Sequence, residues 1–300
     1  MNETLRPMSL GEILDRAVQM LKGNLVLFAG IAAVPALASL VYSLATDSIR
    51  RLGSEHLLGG RIALIGLAVI SWLGFVILSP MAAGAKCWAT SCVLLGRPVT
   101  IGSSYGAFMN RKGRLFGLGF MQGILSGWPA IFGCLIVGAL ISGFHVNVTS
   151  PLYLVLICLA FVPCLPMYAR YLLAYPATAI ADMTVSDSLK RSIELGRNYR
   201  WKVFWSFALP AGIGLVLISG SAAVLEFAGH WLHVQLLHPL LFSVLDGMVT
   251  FVVSLFYEPL TSIALTLTYY DMCVRKEGLD IVQMMAQAGL EPVLPDAELA

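Results

Sequence analysis

A single carboxylate, Glu258, stands in the apolar run LFYEPLTSIA, with Pro259 directly after it. A carboxylate in hydrocarbon is costly, so it requires a cationic partner, a proton or a ligand. Lys86, Arg170 and Asp182 are ionisable residues that also fall within or beside apolar segments. Lys86 lies six residues after Pro80, and Arg170 lies four after Pro166. At 1.5 Å per residue both stand about one to two helical turns from the level of Glu258, so Arg170 is expected to reach Glu258 across a bundle. Two chemistries fit such a group. One is an ion pair that holds helices together. The other is a polar cavity open to the cytoplasm that binds a headgroup, an anion or a proton. Tyr168, Tyr171, Tyr175 and Tyr257 lie close in sequence and fit either.

Three further motifs have weaker chemistry. In LEFAGHWLHVQLLHP, a helix places Glu226, His230 and His233 on one face, with His238 close behind; Glu/His/His is a zinc-binding combination. The segment also sits beside Trp231 at an expected membrane boundary, where amphipathic rings collect, and no third ligand is fixed by the spacing. Gly119, Gly123 and Gly127 form a doubled GxxxG in GFMQGILSG, which permits close helix contact within the chain or between protomers. Asn147-Val148-Thr149 has the form of a glycosylation sequon. No GxSxG, HExxH, Walker loop or dinucleotide fingerprint is present. The reading is therefore of no catalytic residues and no cofactor.

The elements that position these residues are set by composition. The 300 residues are 58% hydrophobic and 12% charged, with mean hydropathy +0.82. A soluble domain carries about 25% charged residues, and that deficit implies an integral membrane protein. The net charge of +2 gives no indication of nucleic acid. The six cysteines stand singly in apolar segments and read as small buried hydrophobes. The polar, mixed-charge start MNETLRPMSLGEILDRA does not resemble a cleavable signal, so the first apolar segment is expected to act as an uncleaved anchor.

A membrane-crossing helix needs about 20 apolar residues. Six runs qualify: about 24–45, 61–86 with continuation toward 95, 115–143, 151–175, 203–225 and 240–270. Segments on one side of this arrangement hold 16 of the 19 Lys and Arg, and the opposite loops hold only Arg50, Arg51 and Arg61. The positive-inside rule then puts both termini in the cytoplasm.

The chain also repeats itself. SLGEILDRAVQML begins at Ser9, TIGSSYGAFMNRK at Thr100 and TVSDSLKRSIELG at Thr184, each ahead of an odd-numbered span, and DIVQMMAQAG begins at Asp280. Each opens on a helix-capping residue, and Glu12, Asp187 and Gln283 stand three positions later in three of them. The apolar stripe of the first is Leu10, Ile13, Leu14, Ala17, Val18 and Leu21. These read as amphipathic helices in the cytoplasmic interface, docked on the bundle rather than Lys-rich lipid sensors. The units run approximately 9–98, 99–182 and 183–278, with a closing helix at 279–289. The expected fold is all-α: three helix-hairpin repeats in one membrane domain. Each even span shares a proline (Pro80, Pro166, Pro259) that frees a carbonyl and can kink the helix, so this stretch should face protein or water.

RYLLAYPATAIADMTVSDSLKRSIELGRNYRWKVFW (170–205) resembles the signature of the glycerophosphoryl diester phosphodiesterase membrane domain family; LRPMSLGEILDRA (5–17) and LTLTYYDMCVRKEG (265–278) resemble the ends of those proteins. The resemblance covers nearly the whole chain. It implies the membrane module alone, because the phosphodiesterase itself is a barrel of roughly 250 residues that nothing beyond residue 280 supplies.

The expected function is a non-enzymatic, multi-pass protein of a bacterial-type inner membrane. Its partners are membrane lipids: it binds or moves a lipid or small amphiphile in a cavity between the even spans. A membrane scaffold acting through its cytoplasmic helices is the alternative, and an intramembrane hydrolase is the third reading. A homo-oligomer through Gly119, Gly123 and Gly127 is a further expectation.

Overall fold

The computed structural model describes residues 6–51, 58–109, 112–144, 164–181, 183–232 and 239–278. Among these residues the only regular structure is helical: α1 (Leu10–Gly23), α2 (Leu25–Arg51), α3 (Leu58–Leu94), α4 (Ile101–Met109), α5 (Lys112–Phe144), α6 (Cys164–Tyr171), α7 (Ala174–Ala181), α8 (Val185–Gly196), α9 (Arg200–Leu232) and α10 (Pro239–Glu277). Four described helices are long and apolar enough to cross a membrane, over Leu25–Ile49, Ile62–Leu94, Arg200–Leu225 and Phe242–Glu277. This chain has the helices of an integral membrane protein. Ile65, Val69 and Ile70 on α3 and Ile213, Leu215 and Val216 on α9 are exposed, as lipid-facing side chains must be.

These four helices coincide with the expected first, second, fifth and sixth spans, and α5 lies over the third. The expected fourth span, 151–175, departs from the reading. Residues 151–163 lie outside the described residues, and the helix that follows breaks at Leu172–Leu173. Pro176 is the reason: it has no N–H for the Leu172 carbonyl and its ring crowds that carbonyl, so α6 stops and α7 starts afresh. The broken end is satisfied from outside, since the Ser192 hydroxyl of α8 donates to the Arg170 carbonyl at 2.7 Å.

α2 packs on α3, α9 packs on α10, and α10 also contacts α1, α2, α3, α7 and α8. Residues 261–274 of α10 are buried without interruption. On α3, Ala82–Cys92 is largely buried, and so is Ala169–Ala179 on α6 and α7. In all three stretches the buried part follows the proline: Pro80, Pro166 or Pro259. Ahead of two of the prolines, large apolar side chains such as Ile77 and Phe256 are exposed. The protein core is thus gathered at one end of the bundle.

The short helices close that end. α1 begins with a complete capping box: the Ser9 hydroxyl accepts from the Glu12 N–H at 3.2 Å, and the Glu12 carboxylate accepts from the Ser9 N–H at 2.6 Å. The Ser9 backbone, then its hydroxyl, hold the Glu12 carboxyl below the usual carboxylate range. The helix docks by Ile13, Ala17 and Leu21, which pack with Phe28, Ala85 and Leu267. Thr100 forms an equivalent reciprocal pair with Ser103, and Thr184 caps α8 through Asp187. The segment from Asp280 lies outside the described residues.

One contact shows what these helices supply. Pro35 lies inside α2 and cannot donate to the Ile31 carbonyl one turn earlier. The Tyr105 hydroxyl of α4 donates to that carbonyl at 2.8 Å. Burial, and then the charge of Glu258, push the Tyr105 phenol well above its ordinary pKa. Tyr105→Phe keeps the ring and leaves the carbonyl unpaired. We expect a loss of about 1–3 kcal/mol, read as a lower unfolding midpoint in mild detergent, whereas Tyr42→Phe on exposed α2 surface should change nothing measurable.

Candidate functional site

Glu258 is paired with a cation. Lys86 Nζ donates to Glu258 Oε2 at 3.0 Å, with the lysine side chain 6% exposed and the carboxylate 23% exposed. The pair stands where α10 passes from its lipid-facing half into its fully enclosed stretch. Beside it is a cavity of about 280 Å³. Helical spacing explains which residues line it. α3 contributes Ser79, Ala83 and Lys86, and α10 contributes Glu258, Thr261, Ser262 and Leu265. Tyr168 and Leu172 come from α6 and the break, and Tyr175 from α7. Each set follows the i, i+3 or i+4, i+7 pattern of one helix face. Tyr257, Gln122 of α5 and Phe207 and Ala211 of α9 complete the wall.

The expected partnership of Arg170 with Glu258 is not made. Tyr168 and Leu172 hold the cavity-facing side of α6, and Arg170 lies two residues from each, about 200° around a helix at 3.6 residues per turn. Its carbonyl serves the contact with Ser192. Lys86 falls in register with Ser79 and takes the carboxylate instead. Asp182 lies outside the described residues. Of the four candidates, the structure therefore brings together Lys86 and Glu258.

A second buried carboxylate was not singled out from sequence. Asp271 has a side chain with 0% exposure, on the enclosed stretch of α10. It accepts from the Met8 N–H at 2.7 Å, from Lys202 Nζ at 2.5 Å and from Arg275 Nε at 3.0 Å. Lys202 and Arg275 also donate to the Met8 carbonyl, at 2.5 and 2.9 Å. The Arg275 guanidinium lies over the Tyr199 ring, 5.7 Å from its centre. One carboxylate and two cations thus clamp the backbone N–H and C=O of a single residue, Met8, in the segment before α1. The available signal was the acid itself, since YYDMC places Asp271 four residues before Arg275 in an apolar helix. α8 is tied to the same end by Arg191 with Glu277 at 2.6 Å.

The glycine motif divides in two. A Cβ on Gly119 would lie 2.9 Å from the Pro80 ring and 3.0 Å from the Tyr175 hydroxyl, so this glycine lets α5 approach α3 and α7 within the chain. Gly123 and Gly127 face open space and line an apolar groove of about 610 Å³ between α3 and α5. Glu226 and His230 fall on α9 and His233 follows its end, but the side chains of all three lie outside the described residues. Cys87, Cys92 and Cys273 are buried free thiols.

Comparison with protein-family models, with curated proteins and with solved structures finds no match for this chain.

The two carboxylates have different consequences. Asp271→Asn leaves two cations facing a neutral amide in a buried clamp, and should cost about 3–5 kcal/mol. Glu258→Gln leaves Lys86 beside a cavity that can admit water, and should cost clearly less. Unfolding midpoints of both variants in the same detergent check this order.

Proposed function

We propose that this chain is a non-enzymatic, six-span membrane protein that binds a lipid or small amphiphile between its even-numbered spans and assists its movement. The single observation that carries this reading is the Lys86–Glu258 pair opening on a cavity walled by α3, α6, α7 and α10. An ion pair that served only to join two helices would be packed closed. This one has free volume beside it and a partly exposed carboxylate. The neighbouring groove is apolar and shares Ser79 and Tyr175 with the cavity. A chamber holding an ion pair next to an apolar groove matches a molecule with a head and a tail.

In this reading α5 is the third span, residues 151–175 are the fourth, and the three hairpins descend from one repeat. The buried stretches that follow Pro80, Pro166 and Pro259 support the equivalence. The charge bias puts both termini in the cytoplasm of a bacterial-type inner membrane. Trp201 and Trp205, exposed beside Arg200, fit the boundary on that side. The resemblance of residues 170–205 to the glycerophosphoryl diester phosphodiesterase membrane domain is in keeping with a membrane module.

Purification in native lipid followed by native mass spectrometry tests the function. We expect a retained lipid-sized adduct, weakened about tenfold or more in the Lys86→Met/Glu258→Gln variant. A protein that carries no adduct and takes up none from added lipid would refute the reading. A fluorescent-protein fusion at Ala300 should fluoresce, as only a cytoplasmic C-terminus permits; a dark fusion with full-length expression would reverse the topology.

A further inference from the structure

Resting on that reading, we propose that the amphiphile is a zwitterionic phospholipid: Glu258 receives the ammonium of its head, Lys86 its phosphate, and the groove between α3 and α5 one acyl chain.

Three observations point to this head. The first is the wall around Glu258. Tyr168, Tyr175, Tyr257 and Phe207 all line the cavity, and Tyr168 meets Phe207 edge to face with ring centres 5.2 Å apart. Aromatic walls with one carboxylate are the surroundings that stabilise an alkylammonium, through the negative faces of the rings and a direct ion pair. The second is that an ammonium already sits there. Lys86 Nζ, 3.0 Å from Glu258, shows that the carboxylate accepts an alkylammonium in this setting. The third is adjacency: Ser79 and Tyr175 belong to the walls of both the cavity and the groove, where Phe75, Phe120 and Trp128 offer apolar surface.

Charge balance then selects the class of lipid. Lys86 and Glu258 neutralise each other. A head carrying both an ammonium and a phosphate replaces this one pair by two, and every buried charge keeps a partner. An anionic head without an ammonium draws Lys86 away and leaves Glu258 unpaired. An uncharged head can only insert beside the pair. A desolvated charge without a partner is far costlier than one exchanged pair, so the difference is one of specificity as well as affinity. The cavity of about 280 Å³ holds a head of this size but not a large sugar head.

The test uses the full-length protein, stripped of lipid in detergent and offered phosphatidylethanolamine, phosphatidylglycerol and diacylglycerol with identical chains at equal concentration. Native mass spectrometry reads the bound fractions. We expect phosphatidylethanolamine to be preferred over each competitor by about tenfold or more. The Lys86→Met/Glu258→Gln variant removes both charges and leaves none unpaired, so it should fold, take up all three lipids to the same reduced extent and lose the preference. Glu258→Gln alone should shift the choice toward phosphatidylglycerol. Equal binding of the three lipids by the wild type, or a preference that persists in the double variant, overturns the zwitterion assignment while the amphiphile site stands. Failure to bind any of the three removes the site itself.

Discussion

Hydrocarbon offers no hydrogen bond and no counter-charge, and this absence governs how the chain is arranged. Each proline inside an apolar helix strips a carbonyl of its donor, and each buried ion needs a partner that the solvent cannot provide. Protein groups answer these demands at one end of the bundle. Tyr105 serves the carbonyl freed by Pro35, Ser192 serves the end of α6, and Lys86, Lys202 and Arg275 serve two carboxylates on α10. The amphipathic helices are therefore more than connectors. They bring the hydroxyls and buried faces without which the long helices would keep unsatisfied groups.

The two carboxylates of α10 divide the labour. Asp271 is wholly enclosed and paired with three donors. Its work is architectural. Glu258 stands 13 residues earlier, at the edge of the enclosed stretch, with one cationic partner and a chamber alongside. The same side-chain chemistry thus serves cohesion at one level of a helix and, in the proposed function, recognition at another. What differs is how fully it is enclosed and paired.

Much of this was legible in the sequence. The charge deficit and hydropathy gave the class, and the charge-free runs located four of the long helices within a few residues. Ser9 with Glu12 announced the start of α1, and the apolar stripe of that helix named Ile13, Ala17 and Leu21. Glu258 was conspicuous because a charge in oil always is. The partner was misjudged because proline-to-cation distance was used where helix phase decides: Ser79 to Lys86 keeps a face, and Tyr168 to Arg170 leaves it. The break at Leu172 was announced by Pro176, outweighed in the reading by the apolar run around it. Ser103 completed a cap without an acid, which a pattern that looks for Glu or Gln passes over. The clamp at Asp271 depends on residues separated by most of the chain, and no local pattern connects Met8 to α10.

That separation has a consequence for biogenesis. Met8 and Asp271 are 263 positions apart, and the carboxylate that fixes the Met8 backbone leaves the ribosome long after it. The contacts that seat α1 cannot be completed until α9 and α10 arrive with Lys202, Asp271 and Arg275. Contacts so distant along the chain form late and slowly. The clamp therefore works as a completion check, locking Met8 only when α9 and α10 have been delivered.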